Sequence, residues 1–213
     1  MIREYFAKPQ GSPTPRLIPV IAIEDAAEAI PLGRTLLESG LPIAEVTFRT
    51  RAAGAAIRQL AQLNELTLGA GTVLSTDQVQ QALDAGAQFM VTPGFNPKVV
   101  DYCIKNSIPI VPGVCTPTEI EAALEYGLDV LKFFPAQSMG GVNSLQAFRG
   151  PYARVKFIPT GGINAANVGD YLKLPNVMAC GGSWMVGQKL IASKNYAEIA
   201  RLTREAVSLC RQT

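Results

Sequence analysis

A single lysine interrupts an apolar run in the second half of the sequence. Lys132 follows Val130 and Leu131 and precedes Phe133 and Phe134. An apolar environment favours the uncharged form of a lysine, and the free amine can attack a ketone to give a protonated imine. Because this imine withdraws electrons, the carbon–carbon bond one atom away can break. The residue and its neighbours therefore indicate covalent chemistry on a carbonyl compound.

Two further charged residues lie in an earlier apolar run. Side chains of a strand alternate between its faces, so Glu45, Thr47 and Arg49 share one face while Val46 and Phe48 share the other. We expect the apolar pair to pack against helices and the charged residues to face the interior of the fold. Arg49 can clamp a carboxylate with two parallel hydrogen bonds. Glu45 can transfer protons, a role that contributes about 10²–10⁴-fold to a rate.

A structural salt bridge between Glu45 and Arg49 is the alternative explanation of these charges. Burying charged groups without compensation is costly. Together with Lys132, the two residues would bring three ionisable groups to one end of the fold, and strongly perturbed groups of this kind cluster at functional sites. We therefore favour a functional role for them over a structural one.

Two glycine pairs follow the last two predicted strands, in the segments GGIN (161–164) and GGSW (181–184). Exposed backbone N–H groups at the start of a helix bind phosphate, and in barrel enzymes the loops after the seventh and eighth strands often hold it. Sharp turns are the alternative explanation for any one glycine. Phospho-sugar barrels with other chemistries share the arrangement, so the pattern predicts a phosphate site without selecting a reaction.

The composition excludes several kinds of active site. The chain has no histidine, which rules out Ser-His-Asp and Cys-His nucleophile systems, histidine-ligated zinc and histidine acid–base catalysis. A net charge of +2 does not favour nucleic acid or a membrane surface as partners. No apolar run is long enough for a transmembrane helix.

The four cysteines are Cys103, Cys115, Cys180 and Cys210. They show no metal-ligand spacing and are interpreted as buried thiols, with Cys115 near the active face.

Eight short apolar runs recur along the chain, as is typical of parallel strands covered on both faces. They begin near Leu17, Ile43, Leu66, Gln88, Ile108, Asp129, Val155 and Asn176. Helical periodicity lies between them at residues 26–39, 52–63, 76–85, 97–106, 117–126 and 196–210, with shorter pieces around Leu145 and Asn167. Eight strand–helix units predict a single-domain α/β fold, the (β/α)₈ or TIM barrel. An open doubly wound sheet is the alternative, but no G-x-G-x-x-G turn follows the first strand.

We expect one domain over residues 1–213. Residues 1–15 are predicted to form a short N-terminal helix and a loop rich in proline, serine and glycine, which together cover the N-terminal end of the barrel. The first residues lack the basic flank and the long apolar stretch of a signal peptide, so a cytoplasmic location is expected.

The sequence resembles the family of 2-keto-3-deoxy-6-phosphogluconate (KDPG) aldolases, which includes the 4-hydroxy-2-oxoglutarate (KHG) aldolases. The likeness extends from about Leu17 to the C-terminus. Eight segments carry it in order: EVTFRT (45–50), GAGTVL (69–74), FMVTPG (89–94), IVPG (110–113), LKFFPA (131–136), GGV (140–142), PTGGI (159–163) and GGSW (181–184).

The resemblance implies a role for each matching residue. Lys132 would be the Schiff-base lysine, and Glu45 the general acid–base acting through water. Arg49 would hold the pyruvyl carboxylate, with Thr72 nearby. The pocket would be shaped by Pro93, Phe134 and Thr160, and the phosphate would be held by Gly161, Gly162, Gly182 and Ser183. The resemblance also implies a cofactor-free homotrimer of the Entner–Doudoroff pathway.

Two positions depart from the family pattern, because Phe48 and Cys115 stand where relatives often carry other residues. Ser183 resembles the phosphogluconate branch of the family more than the phosphogalactonate branch. The expected reaction is cleavage of 2-dehydro-3-deoxy-6-phospho-D-gluconate to pyruvate and D-glyceraldehyde 3-phosphate, with 4-hydroxy-2-oxoglutarate as a further substrate. The alternatives are a phospho-sugar epimerase or isomerase on the same barrel and a non-catalytic protein that binds a phosphorylated ligand.

Overall fold

The computed structural model describes residues 15–211. The predicted N-terminal helix and loop at residues 1–15 lie outside this range, apart from Pro15, which is buried. The described chain alternates strands and helices from its first strand to its C-terminal helix.

Parallel strands form two sheets that curve around a common interior. The first sheet has the order β5-β4-β3-β2-β1-β9 and the second the order β6-β7-β8. Isolated bridges from Phe157 to Val177 and from Thr160 to Gly181 join β8 to the segment that ends in β9. The strands are β1 (Leu17–Ile21), β2 (Ile43–Thr47), β3 (Thr67–Gly71), β4 (Phe89–Val91), β5 (Ile110–Val111), β6 (Gly113–Val114), β7 (Val130–Phe133), β8 (Lys156–Pro159) and β9 (Cys180–Gly182).

The fifth barrel position is divided between β5 and β6 because Pro112 interrupts it. β5 pairs with β4, whereas β6 pairs with β7. Proline has no N–H to donate to a ladder, but its carbonyl still accepts the N–H of Lys132 at 2.9 Å. The strand therefore continues across the proline and joins the two sheets. Within residues 15–211, nine strand pieces occupy eight positions, and the predicted TIM-barrel fold is confirmed.

The helices predicted between residues 26 and 210 all form, and their ends lie close to the predicted ones. Ser75 and Thr116 cap two helix N-termini, as their side chains accept the N–H groups of Gln78 and Glu119. The helices are α1 (Ala29–Glu38), α2 (Ala53–Leu60), α3 (Thr76–Asp84), α4 (Pro97–Lys105), α5 (Pro117–Glu125), α6 (Gly141–Phe148), α7 (Val168–Leu172), α8 (Gln188–Ala192) and α9 (Tyr196–Arg211), with 3₁₀ turns at Ala26–Glu28, Gln137–Met139 and Trp184–Val186.

The strands are buried on both faces, as their continuous apolar runs predict. All five residues of β1 and of β2 are buried. Outside the strands, the Phe148 ring on α6 lies 6.0 Å from that of Phe133 and 5.8 Å from that of Phe157. These contacts attach the helix to β7 and β8. None of the helices among residues 15–211 is long and apolar enough to cross a membrane.

Three of the four cysteines lie in this core, as predicted. Cys103 and Cys180 are fully buried and Cys210 nearly so. Burial raises the pKa of Cys103 and of Cys210 to about 11, and it also raises the pKa of Cys180. Because the thiolate is the reactive form, we expect these thiols to react only slowly at neutral pH.

Alkylation of the folded protein tests this arrangement of the core. At pH 7.5, iodoacetamide should modify Cys103, Cys180 and Cys210 only slowly, and modification should become rapid when guanidinium unfolds the chain. Peptide mass spectrometry at timed intervals measures each site separately. Rapid labelling of Cys103 in the folded protein would contradict the described packing.

Candidate active site

The predicted lysine and glutamate meet inside the barrel at the C-terminal ends of β7 and β2. The Lys132 Nζ lies 3.3 Å from the Glu45 Oε1, and their side chains are only 6% and 3% exposed. The strands that carry them are not neighbours, so the contact spans the barrel interior. The alternative salt bridge between Glu45 and Arg49 is not what the structure contains, because Glu45 pairs with Lys132.

Apolar side chains enclose this ion pair. They surround a small cavity of about 10 Å³, which is close to the least space that can hold one water molecule. Its apolar lining consists of Ile18, Phe89, Val91, Val111 and Ile158. The Lys132 Nζ also lies 5.2 Å from the centre of the Phe134 ring, within range of a cation–π contact. The pair is thus screened from bulk solvent, in contact with a cavity at the lower limit of size for one water molecule.

Two glycines of β3 make room for neighbouring side chains, Gly71 for Glu45 and Gly69 for Phe89. An added Cβ at Gly71 would lie 2.2 Å from the Glu45 Oε1, and one at Gly69 would lie 2.2 Å from the Phe89 ring. β3 pairs with β2, with Glu45 opposite Gly69. Both glycines lie in the segment GAGTVL (69–74), which carries the family resemblance, but neither was predicted to have a role. In the sequence, the one indication of this role is that small residues lie in the strand predicted to follow the one that carries Glu45.

Arg49 lies at the rim, just after the end of β2, and is exposed. Its Nε donates to the Thr47 Oγ1 at 3.0 Å, and that hydroxyl donates to the Ile21 carbonyl at 2.7 Å. Within residues 15–211, no carboxylate lies within 4.0 Å of the Arg49 guanidinium in an ion pair. The sequence placed Thr47 on the same face but assigned it no role.

A larger cavity of about 130 Å³ opens beside the ion pair, with Arg49 among its walls. The two predicted glycine loops form much of the remainder. The described lining is Val20, Arg49, Phe134, Thr160, Gly161, Gly162, Ile163, Gly181, Gly182 and Ser183. Thr160 lines both cavities and so lies between the Lys132 pocket and the glycine loops.

The glycines of these loops have local reasons to lack a side chain. Gly161 and Gly162 have φ values of 99° and 77°, which other residues rarely adopt. Gly182 lies beneath the Trp184 ring, where a Cβ would come within 2.0 Å of it. The expectation that a helix begins at each glycine pair holds in part. A 3₁₀ turn follows Ser183 at once, whereas α7 begins six residues after Gly162.

Thr72 and Pro93 follow the ends of β3 and β4 at the same rim. Neither belongs to the described lining of the two cavities. Thr72 has a φ of 55°, in the left-handed region that is unusual for a threonine. The Pro93 carbonyl packs against Gly113, where a Cβ would come within 2.2 Å of it. The structure therefore brings nine of the eleven predicted site residues around two adjacent cavities and places these two beside them.

Comparison with known proteins identifies the family. The family model described as KDPG and KHG aldolase matches residues 12–202. The chain belongs to this family of aldolases.

Two relatives are similar in sequence to the aldolase over most of its length. It is 49% identical over 197 residues to the 2-dehydro-3-deoxy-phosphogluconate aldolase of Haemophilus influenzae. The aligned residues cover 92% of this chain and 93% of the relative. It is 42% identical over 192 residues to the KHG/KDPG aldolase of Escherichia coli K12, covering 90% of each.

Solved structures are similar to the aldolase as well. The KDPG aldolase of Legionella pneumophila, with pyruvate captured as a covalent carbinolamine intermediate, is 38% identical with a TM-score of 0.88, covering 94% of this chain and 95% of that one. The aldolase of Zymomonas mobilis ZM4 with 3-phosphoglycerate is 34% identical with a TM-score of 0.89, covering 98% and 95%.

The remaining cysteine of the aldolase lies near the site without being activated. The Cys115 Sγ donates to the Glu119 Oε2 at 3.3 Å, and burial together with this bond raises the pKa of the thiol. Burial alone would raise the pKa of Glu119, but the hydrogen bonds from Cys115 and Thr116 outweigh it and the net shift is downward. The thiol therefore stays protonated, and its carboxylate partner serves as part of a helix cap. Among residues 15–211, no group of three His, Cys, Asp or Glu side chains could hold a metal ion.

Substitution of Gly71 by alanine tests the fit around Glu45. The new methyl group would displace the carboxyl, which lies at the end of a flexible side chain, so the fold should survive while the contact with Lys132 is lost. We expect a fall in kcat of at least about tenfold, within the range that proton transfer contributes.

The matched control is Gly54→Ala in α2, where an added Cβ meets nothing within 4 Å. This variant should keep normal turnover. Steady-state kinetics and thermal midpoints of both variants separate the local effect from a loss of stability. Full activity in Gly71→Ala would show that the Glu45 carboxyl has other room.

Proposed function

We propose that the chain is a class I aldolase that cleaves 2-dehydro-3-deoxy-6-phospho-D-gluconate to pyruvate and D-glyceraldehyde 3-phosphate. The observation that carries this proposal is the contact of 3.3 Å between the Lys132 amine and the Glu45 carboxyl in an enclosed apolar pocket. An amine and a proton acceptor so placed are the two groups that imine chemistry requires.

Lys132 is the proposed nucleophile. Transfer of a proton from the Lys132 Nζ to Glu45 leaves a free amine, which attacks the C2 ketone to give a carbinolamine. Loss of water then gives a protonated imine. The captured carbinolamine of the Legionella pneumophila relative supports this course, since it is an adduct of pyruvate.

Glu45 is the proposed general acid–base. Acting through one water molecule, it takes the proton of the C4 hydroxyl while the C3–C4 bond breaks. The electron pair of that bond passes into the imine, so D-glyceraldehyde 3-phosphate leaves and an enamine remains. Protonation at C3 and addition of water then release pyruvate and the free amine. The cavity of about 10 Å³ beside the pair, at the lower limit of size for one water molecule, supports this role.

Arg49 is the proposed ligand of the pyruvyl carboxylate, with Thr72 nearby. Its side chain lines the larger cavity, and the guanidinium offers a planar pair of donors that matches a carboxylate. We propose that Pro93, Phe134 and Thr160 shape the pocket between this end and the phosphate. Both the phosphorylated keto acid and pyruvate are anionic, and an arginine without a described carboxylate partner suits them.

The phosphate is proposed to bind at Gly161, Gly162, Gly182 and Ser183. Backbone N–H groups of glycine loops can approach a phosphate closely because no side chain intervenes. Ser183 is exposed at this wall of the cavity and adds a hydroxyl. The bound 3-phosphoglycerate in the Zymomonas mobilis relative supports a site for a phosphorylated three-carbon compound.

A second substrate is supported by the name of the Escherichia coli relative, a KHG/KDPG aldolase. We propose that 4-hydroxy-2-oxoglutarate is cleaved to pyruvate and glyoxylate by the same residues. This substrate has no phosphate and would not use the glycine loops. We further propose a cytoplasmic homotrimer of the Entner–Doudoroff pathway, without a cofactor, on the strength of the resemblance to the family.

The reaction of the protein with pyruvate and borohydride tests the nucleophile. Reduction should trap a pyruvyl adduct on Lys132, located by peptide mass spectrometry. An epimerase or isomerase would form no such adduct, and a non-catalytic binding protein would show no turnover. A folded protein that forms no adduct would overturn the proposal.

Lys132→Ala should lose the adduct and essentially all turnover. Removing one partner of a buried pair costs about 3–5 kcal/mol because the other charge is left uncompensated. The double variant Lys132→Met with Glu45→Gln removes both charges and controls for folding. It should be stable and equally inactive.

Ser183→Ala tests the phosphate site. It should raise KM for the phosphorylated substrate several-fold, with little effect on 4-hydroxy-2-oxoglutarate. Ser208→Ala, at an exposed position on α9, is the matched control. Equal effects of Ser183→Ala on both substrates would remove the residue from the phosphate site.

A further inference from the structure

Thr47 occupies a position from which it can control the direction of Arg49. It is the last residue of β2 and is 1% exposed. A threonine hydroxyl has one proton to donate and lone pairs to accept. Here the proton is committed to the Ile21 carbonyl of β1 at 2.7 Å. The lone pairs therefore remain for the Arg49 Nε–H at 3.0 Å.

This arrangement fixes the donor-to-acceptor direction of both hydrogen bonds. A guanidinium has five N–H donors and no acceptor, so Arg49 can only donate to Thr47. The hydroxyl can receive that bond because its own proton points to the opposite side. The order from Arg49 through Thr47 to Ile21 is therefore the one order that satisfies all three groups.

Arg49 has few other restraints on its side chain. It lies beyond the end of the strand and is exposed, and no described carboxylate of residues 15–211 pairs with it. A long side chain in such a setting samples many rotamers. The bond to Thr47 restrains the Nε end, while the N–H groups of the two terminal nitrogens remain available to the cavity that Arg49 lines.

We propose that Thr47 is a positioning residue, which orients the Arg49 guanidinium so that its terminal nitrogens receive the substrate carboxylate. The inference rests on the proposed function, in which Arg49 binds that carboxylate. Since the Nε is already engaged, the carboxylate meets the terminal nitrogens alone. Thr47 thereby connects carboxylate binding to the backbone of β1.

A purely structural role is the competing explanation. β1 pairs with β2, and the bond from Thr47 to Ile21 extends that pairing to the end of the strands. Such a role predicts a lower thermal midpoint when the hydroxyl is removed. It predicts no specific change in the affinity for pyruvate.

Thr47→Val removes the hydroxyl and keeps the branched shape that suits a strand. We expect the affinity for pyruvate, measured by the concentration dependence of borohydride trapping, to fall about tenfold, the effect of losing one restraining bond to a charged group. KM for the phosphorylated substrate should rise similarly, while kcat falls less than about threefold because Lys132 and Glu45 are untouched. Thr47→Ser keeps the hydroxyl and should restore the affinity.

Thr50→Val is the matched control. The Thr50 hydroxyl also donates to a backbone carbonyl, that of Ile23 two residues beyond β1, but its described bonds do not include Arg49. This variant should keep its pyruvate affinity. If Thr47→Val does not fold, Thr47→Ala replaces it, and the comparison with Thr47→Ser still decides the role of the hydroxyl.

A double-mutant cycle with Arg49→Gln separates failure of this inference from failure of the proposed function. Thr47→Val should add little to the loss of pyruvate affinity in Arg49→Gln, because the two changes act through one contact. Additive losses, or unchanged affinity in Thr47→Val beside a clear loss in Arg49→Gln, would overturn the positioning role alone. Unchanged pyruvate affinity in Arg49→Gln would overturn the proposed carboxylate site and the inference with it. The same holds if Arg49→Gln weakens only the inhibition by inorganic phosphate and leaves the binding of pyruvate unchanged.

Discussion

The contact between Lys132 and Glu45 is the interaction on which the rest of the site depends. Two charged groups in an apolar interior lose their hydration, and their mutual attraction offsets this loss only when the geometry is good. The pair lies across the barrel, with one member on β2 and the other on β7. Its separation is therefore set by the diameter of the barrel and by the registers of strands distant in the sequence. A closed barrel is rigid enough to keep such a distance, and parallel strands bring both side chains to the same end.

Small residues around the rim make room for the functional groups of the site. Gly71 leaves room for the Glu45 carboxyl, and Gly181 leaves room for Thr160, whose hydroxyl would lie 2.3 Å from an added Cβ. Gly113 lets the Pro93 carbonyl approach the divided fifth strand. In each case the missing side chain is replaced by a functional group or by backbone from a neighbouring strand. The glycines that a sequence would assign to turns therefore also set the shape of the pocket.

The charges of the site fall into two groups with different surroundings. Lys132 and Glu45 neutralise each other in a pocket that is almost closed to solvent, whereas Arg49 is held by a neutral hydroxyl at the open rim. An arginine with no described carboxylate partner thus lines the larger cavity, whereas the amine lines the smaller cavity beside it. The two groups of charges are therefore physically separate, and removal of one group need not remove the other.

The strand and helix pattern can be predicted from the sequence alone, as can the choice of Lys132, Glu45 and Arg49 as candidate reactive residues. These follow from local rules: alternation placed Glu45, Thr47 and Arg49 on one face, and glycine at positions 40, 86 and 127 ended three helices with positive φ. The folded chain is needed to show that Glu45 pairs with Lys132 and not with Arg49, that Gly71 accommodates the carboxyl, and that Thr47 connects Arg49 to Ile21. Those contacts depend on the register between strands and on the curvature that closes the barrel. Neither quantity is contained in the periodicity of any one segment, because each is set by the packing of all the strands together.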